Sequence, residues 1–135
     1  RAKYGAAFVK VGLVPDLAAL YLLPRAVGLQ KAKELSFTGK SVSAEEACSL
    51  GIVNRVVPHE ELESAVQQLA RTLTSGSASA IGAAKRLLNL SMDMDLKGLL
   101  EAEALRQGIC MVSEDSREGV DAFLNKREAV FNRGR

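Results

Sequence analysis

The chain has 135 residues, of which 47% are hydrophobic and 25% are charged, and its formal net charge is +2. These proportions are typical of a globular protein and exclude a disordered tail or a collagen-like chain. The basic residues are scattered, so they form no charged stripe for a nucleic acid, and no apolar run approaches the roughly 20 residues of a membrane span.

The first predicted element is a strand over residues 4–13, where β-branched and aromatic side chains are common. It begins almost at once, without a preceding Met or signal-peptide pattern, so we expect further residues upstream. Pro15 and Asp16 end it, and Asp16 is a candidate helix N-cap because its carboxylate can accept bonds from free N–H groups. A short helix is predicted over 17–23, interrupted at Pro24.

The next segment predicts a helix, a second cap and another strand. A helix over 30–37 should end at Gly39, since glycine readily adopts the left-handed conformation that closes helices. Ser43 and Glu46 have the spacing of a capping box at the start of the following helix. The β-branched run over 52–57 then predicts a strand.

From residue 58 onward the strand signals stop and apolar residues recur at helical spacing. This periodicity predicts helices over 62–73, 78–91 and 96–112, followed by a last helix that opens at Ser116. We therefore predict two regions, a mixed one over 1–57 and a helical one over 58–135.

The sequence offers no set of metal ligands. Cys48 and Cys110 have no metal or redox spacing and lie in apolar helical stretches, so we expect buried free thiols in a reducing compartment. His59 is the single histidine and has no nucleophile near it in the sequence, so it receives no catalytic role. Glu114 and Asp115 are expected to charge a helix boundary.

Three stretches have an order and spacing that point to a known family. They are residues 8–16 (Phe-Val-Lys-Val-Gly-Leu-Val-Pro-Asp) with 23–28 (Leu-Pro-Arg-Ala-Val-Gly), residues 37–40 with 43–47 and 51–57, and residues 118–119 with 122–123 and 126–127. Together they resemble the C-terminal half of the crotonase superfamily, the enoyl-CoA hydratase/isomerase family. Nearly the whole chain is covered by this resemblance.

The resemblance implies an α/β crotonase-like spiral of ββα repeats, of which this chain is the mostly helical C-terminal half. Residues 1–57 would end the spiral core, and 58–135 would form a helical region that assembles a homotrimer or a dimer of trimers. The implied ligand is an acyl-CoA thioester. In the family, two backbone N–H groups form an oxyanion hole for the thioester enolate.

The oxyanion hole and the first of two catalytic carboxylates lie in the family's N-terminal half, so we expect the 135 residues alone to be inactive. No metal or redox cofactor is implied, because the thioester itself acidifies the substrate, and neither a nucleic acid nor a membrane is expected as a partner. A bacterial cytoplasm and a mitochondrial matrix both fit.

The second carboxylate of the family can be checked in this sequence. In hydratases of the family a Glu stands four residues before the glycine that matches Gly12, and here that position is Phe8. The order around Asp16 instead resembles dienoyl-CoA isomerases and the ring-opening isomerases of bacterial phenylacetate breakdown, in which the matching Asp relays a proton. The resemblance thus implies Asp16 as the catalytic residue and Phe8 as a wall of a dry substrate pocket.

Further substrate contacts are implied around this centre and near the C-terminus. Leu17 would contact the acyl group, while Ala18 and Ala19 stand where relatives often carry a glycine pair; their methyl groups either narrow the acyl pocket or pack in the helix. Phe123 and Lys126 match positions that lie against CoA in relatives, where a ring can face adenine and an ammonium group a phosphate.

Several alternatives stay open at this point. Asp16 could be a helix cap alone, Phe8 a core residue, and Phe123 buried beside a solvated Lys126. The protein could also be a catalytically silent CoA-binding or assembly subunit, or an enoyl-CoA hydratase (a lyase) whose base comes from elsewhere.

Overall fold

Helices dominate the computed structural model, which describes residues 2–132, and that part contains one two-stranded sheet. Its strands are β1 (Lys3–Gly5) and β2 (Ser41–Ser43), and its helices are α1 (Ala19–Val27), α2 (Leu29–Thr38), α3 (Ala44–Ser49), α4 (Leu62–Thr74), α5 (Ala78–Leu90), α6 (Leu96–Met111) and α7 (Glu114–Leu124). Two 3-10 helices span Ala7–Val11 and His59–Glu61. None of the described helices is long and apolar enough to cross a membrane.

The chain divides into two compact units, one ending at Glu63 and one beginning at Ser64. In the first unit β1 and β2 pair antiparallel, with Tyr4 opposite Val42. Val42 is buried with Leu35 of α2 and Ala47 of α3, and half-buried apolar residues pack against these three. This small apolar core joins the sheet to α2 and α3.

The strand predicted over 4–13 is wrong beyond Gly5. Its partner β2 has three residues, and the first of them, Ser41, pairs with Gly5, so the ladder has no continuation among the described residues. The backbone instead forms the 3-10 helix Ala7–Val11, and the N–H groups of Gly12 and Leu13 beyond it donate to the carbonyls of Val9 and Phe8 at 3.2 and 3.0 Å. Gly12 closes that helix in the left-handed region, at φ 77°.

The strand predicted over 52–57 is also wrong. The N–H groups of Ile52 and Val53 donate to the Ala47 carbonyl at 2.9 and 3.4 Å, and both side chains pack against the core. Only the first two residues of the run therefore pack on the core, and no strand lies beside the run among residues 2–132 to form a ladder.

The helices of the first unit follow their sequence signals more closely. Gly39 ends α2 at φ 59° and donates to the Leu35 carbonyl at 3.1 Å, and the Ser43 hydroxyl accepts the Glu46 N–H at 3.1 Å, as predicted. The helix predicted over 17–23 instead spans Ala19–Val27. Pro24 cannot donate a backbone bond, but its carbonyl accepts the Gly28 N–H at 2.9 Å and the helix continues through it.

The second unit contains the predicted helices in the predicted order. Side-chain N-caps begin three of them, namely Ser77 for α5, Asp95 for α6 and Ser113 for α7. The last helix begins two residues earlier than predicted because Ser113, and not Ser116, accepts a capping bond, at 3.1 Å from the Ser116 N–H. Glu114 and Asp115 lie in the first turn of this helix, where negative charge is favourable.

Candidate active site

The segment around Asp16 forms a tight turn. The Ala19 N–H donates to the Asp16 carbonyl at 2.9 Å, and the two residues between them, Leu17 and Ala18, have φ angles of 51° and 61°. A four-residue turn with both central residues left-handed is a type I′ turn. The residue that caps α1 is Ala18, and no side chain makes a capping bond there. Interpreting Asp16 as the helix cap is therefore wrong.

The Asp16 carboxylate is exposed and has no hydrogen bond or ion pair with the described residues. Its neighbours along the chain, Val11, Leu13 and Val14, are exposed apolar residues, and the Leu17 side chain is 92% exposed. The resemblance implies a carboxylate enclosed by an apolar pocket. Residues 2–132 supply the apolar side chains but leave the carboxylate open.

Phe8 lies in the 3-10 helix Ala7–Val11 and is half-buried. It therefore occupies a helical turn and not the predicted strand, yet it belongs to the same continuous segment as Asp16. Gly12 lies between them and adopts the left-handed conformation, and, its two chain neighbours aside, no atom of the described residues lies within 4 Å of where its Cβ would be. The glycine is thus needed for its backbone angle and not for space.

An apolar cavity of about 340 Å³ in the first unit was not anticipated from the sequence. Tyr4 of β1, Leu22 and Leu23 of α1 and Leu35 of α2 line it, together with Ala19, the last residue of the Asp16 turn. The signal for it was the helical spacing of apolar residues along α1. The lining does not include Phe8, Asp16 or Leu17.

Phe123 and Lys126 lie in the second unit, where α7 ends. Phe123 is 82% exposed, so the alternative of a buried Phe123 is wrong within this chain. Lys126 is exposed and left-handed at φ 51°, in a turn where its N–H donates to the Phe123 carbonyl at 3.2 Å. One turn thus presents both an aromatic ring and an ammonium group to solvent.

A charge cluster that sequence reasoning missed follows this turn. The Arg127 guanidinium binds both carboxylate oxygens of Glu118, at 2.6 and 3.1 Å, and also contacts Asp121. The hydrogen bond to Glu118, which has the larger effect, and the one to Asp121 raise the pKa of Arg127 above its ordinary value. Glu118 also accepts the Val130 N–H at 2.8 Å, so one carboxylate holds both the Lys126 turn and the chain beyond it.

The two cysteines are free thiols, as the sequence predicted, but both are half-buried and not buried. Cys48 lies in α3 and Cys110 in α6. Across residues 2–132 no three His, Cys, Asp or Glu side chains are grouped so as to hold a metal ion.

These features define the helical C-terminal half of an α/β crotonase fold. Residues 1–134 match the family model described as enoyl-CoA hydratase/isomerase, and the chain belongs to that family. The resemblance of the three sequence stretches is thereby confirmed.

Curated relatives include both activities of the family. The chain is 37% identical over 130 residues to a crotonyl-CoA hydratase of Syntrophomonas wolfei and 39% identical over 130 residues to a 1,2-epoxyphenylacetyl-CoA isomerase of Escherichia coli K12. Each match covers 96% of this chain and 50% of the relative. The chain therefore spans about half the length of the curated relatives that it matches.

Solved structures agree with this assignment. An enoyl-CoA hydratase/isomerase structure from Cupriavidus metallidurans superimposes with a TM-score of 0.92 at 41% identity, over 98% of this chain and 50% of that one. A structure from Geobacillus kaustophilus, described as an enoyl-CoA hydratase subunit, gives 0.92 at 34% identity.

Proposed function

We propose that the protein is an enoyl-CoA isomerase in which Asp16 carries the proton. The observation that supports this most directly is the state of the Asp16 carboxylate. It caps no helix, has no partner among the described residues, and stands in an exposed apolar segment. Within residues 2–132 this carboxylate therefore has no contact that holds the fold, while Phe8 takes the place of the family's hydratase glutamate.

The proposed reaction moves a double bond without a net change in atoms. The thioester carbonyl acidifies the C2–H bond of a 3-enoyl-CoA, and the Asp16 carboxylate takes that proton as the electron pair delocalises into a thioester enolate. The same carboxyl group then returns the proton at C4, and the electron pair forms the C2–C3 double bond. Asp16 ends ionised, so one residue serves as base and then as acid.

Phe8 explains why isomerisation is favoured over hydration in this proposal. A hydratase needs a second carboxylate to hold and deprotonate water, and a phenyl ring can do neither. A half-buried apolar side chain also helps to exclude water from the enolate, which otherwise competes for reprotonation.

The proposed ligand is an acyl-CoA thioester, bound in part through the turn at the end of α7. Phe123 offers an exposed ring for the adenine and Lys126 an ammonium group for a phosphate. The oxyanion hole would come from the half of the fold that the relatives have and these 135 residues do not match. In this proposal no metal or redox cofactor takes part, because the thioester supplies the electron sink.

Two further candidates have specific support. The 37% identity to a crotonyl-CoA hydratase favours a hydratase. The replacement of the hydratase glutamate by Phe8, with Ala18 and Ala19 in place of the family's glycine pair, favours a silent CoA-binding subunit.

The test uses the protein as its gene encodes it, with 3-enoyl-CoA and 2-enoyl-CoA supplied in deuterated water. Double-bond migration should occur and fall by about 100-fold or more in Asp16→Asn, the usual contribution of a general acid–base group. Phe8→Glu restores the hydratase carboxylate and should gain water addition. Hydration that survives Asp16→Asn would establish the hydratase, and CoA binding without turnover would establish the silent subunit.

We also propose assembly into a homotrimer or a dimer of trimers through the helical region. The apolar side chains of α4 are about half exposed, namely Leu62, Val66, Leu69 and Leu73. Contiguous apolar faces of this kind mark interaction surfaces. Sedimentation should show association of the 135 residues, and a stable monodisperse monomer would contradict the assembly proposal.

A further inference from the structure

The turn at Asp16–Ala19 places two residues with a Cβ in a backbone conformation that favours glycine. Type I′ turns have left-handed backbones at both central positions, and Gly, Asn and Asp dominate there because a Cβ is unfavourable at positive φ. Here the central residues are Leu17 and Ala18. They are two of only four non-glycine residues with positive φ within residues 2–132, and they are adjacent.

Local folding does not account for this choice. The Leu17 side chain is 92% exposed, so no burial within this chain offsets its strained backbone. The bond from the Ala19 N–H to the Asp16 carbonyl uses backbone atoms alone and would form with glycine at both central positions. Strained backbones that the fold itself does not require are concentrated at functional sites.

The turn also fixes where Leu17 stands. Ala18 caps α1, and its carbonyl accepts the N–H groups of Tyr21 and Leu22 at 3.0 and 2.9 Å. The turn is therefore anchored to the first turn of a helix on one side and carries Asp16 on the other. A side chain at Leu17 is held next to the proposed proton carrier, projecting away from the chain.

We infer that Leu17 is a specificity-determining residue that limits the bulk of the acyl group, and that Ala18 is a positioning residue that keeps Leu17 in place through the strained turn. This inference rests on the proposed function, since it takes the acyl group to lie beside Asp16. A leucine side chain there occupies space that a branched or aryl acyl group needs, so linear enoyl groups are preferred. Differences of one or two methylene groups in such pockets change kcat/KM by about 10- to 200-fold.

The test compares kcat/KM for a linear 3-enoyl-CoA and for one with a branched or aryl acyl group, in the protein as its gene encodes it. Leu17→Ala should raise the ratio of bulky to linear substrate by about 10-fold or more. Leu17→Phe should lower it. Ala18→Gly loosens the turn and should move the ratio in the same direction as Leu17→Ala, by a smaller factor, without lowering Tm.

Ala70→Gly is the matched control, because it makes the same chemical change at an exposed position inside α4, outside the candidate site. It should leave the ratio unchanged and lower Tm, since glycine is unfavourable inside a helix. A ratio that stays the same in Leu17→Ala, or a Tm loss in Ala18→Gly equal to that in Ala70→Gly, would overturn the inference.

Asp16→Asn, measured alongside, separates the two ideas. Migration that persists in Asp16→Asn overturns the proposed function. Migration that is lost there, combined with an unchanged ratio in Leu17→Ala, overturns only the role of Leu17. Absence of turnover with either substrate overturns both.

Discussion

Each of the two units of this chain is stabilised internally by a different kind of contact. The first has an apolar core in which Leu35, Val42 and Ala47 are buried. In the second, Ala122 is the one buried residue among those that the structure describes. Its helices leave much of their apolar surface exposed, and directed polar contacts fix their ends instead.

Those polar contacts converge on α7. Asp115 accepts the Ser77 hydroxyl at 2.6 Å and the Asn132 N–H at 2.8 Å, and the Asn132 side chain accepts the Ala78 N–H and donates to the Gly76 carbonyl, both at 3.0 Å. The Arg127 cluster adds charged bonds one turn further along. The contrast teaches that the first unit depends on apolar area, while the second depends on capping and charge.

The largest effect is expected from opening the apolar core. Leu35 is 4% exposed, so Leu35→Ala leaves a cavity and should lower the free energy of unfolding by about 2–5 kcal/mol. Leu29→Ala, at an exposed position of the same helix, is the control and should change it by less than about 0.5 kcal/mol. Urea unfolding followed by circular dichroism measures both. Equal losses of unfolding free energy in the two variants would mean that burial of Leu35 does not stabilise the first unit.

A smaller loss should follow when the polar contacts of the second unit are cut. Ser77→Ala removes the N-cap of α5 and its bond to Asp115, and loss of such caps lowers the free energy of unfolding by about 1 kcal/mol. Ser91→Ala is the control, because the Ser91 hydroxyl donates only to the Leu88 carbonyl at the other end of the same helix. If the two variants unfold alike, the contrast between the units does not hold.

Salt should distinguish the charged part of the second unit from the core of the first. Arg127→Ala removes a bidentate bond to Glu118 and should lower Tm at low ionic strength. The Tm difference from the unmodified protein should shrink towards 1 M NaCl, where the screening length is about 3 Å. Arg117→Ala, on α7 and without an ion pair among the described residues, should show neither effect. A salt-independent loss would indicate that packing of the Arg127 stem dominates.

The same contrast explains how much of the fold could be predicted. The caps at Gly39 and Ser43 and the helices after residue 58 were predicted because a few neighbouring residues determine them. The run over 52–57 does not form the predicted strand, because a strand needs a neighbouring strand to pair with, and no local sequence pattern reveals whether one is present. The Arg127 cluster joins residues nine positions apart in a turn, and the sequence showed only their charges.

The residues of the candidate site could be selected from the sequence, but their backbone conformation could not. The residue order selected Asp16 and Leu17, yet the type I′ turn that carries them could not be foreseen, since its central residues disfavour that backbone. A turn signal of Asn or Gly would have revealed it. Sequence reasoning therefore fails at the point where the local rule is broken, which is where function is proposed.

The smallest effect concerns a surface charge pair in the first unit. Lys31 and Glu34 on α2 form an ion pair at 2.5 Å. The hydrogen bond from Lys31, which has the largest effect, and the positive charge of Lys31 lower the pKa of Glu34 below its ordinary value of 4.5. Because the folded chain holds the ionised form more tightly than the unfolded chain does, the pair contributes stability above pH 4.5, and this is lost as the pH falls through the folded pKa.

The measurement is the Tm difference between the unmodified chain and Lys31→Gln across an acid titration. It should be small and constant at neutral pH and vanish in acid, while Lys33→Gln, two residues away and without an ion pair among residues 2–132, should show no such profile. Solvent screens an exposed pair of this kind, so the decrease in Tm caused by Lys31→Gln should stay well below the decrease caused by Leu35→Ala. A difference comparable to the core variant would mean that charge, and not apolar burial, holds the first unit as well.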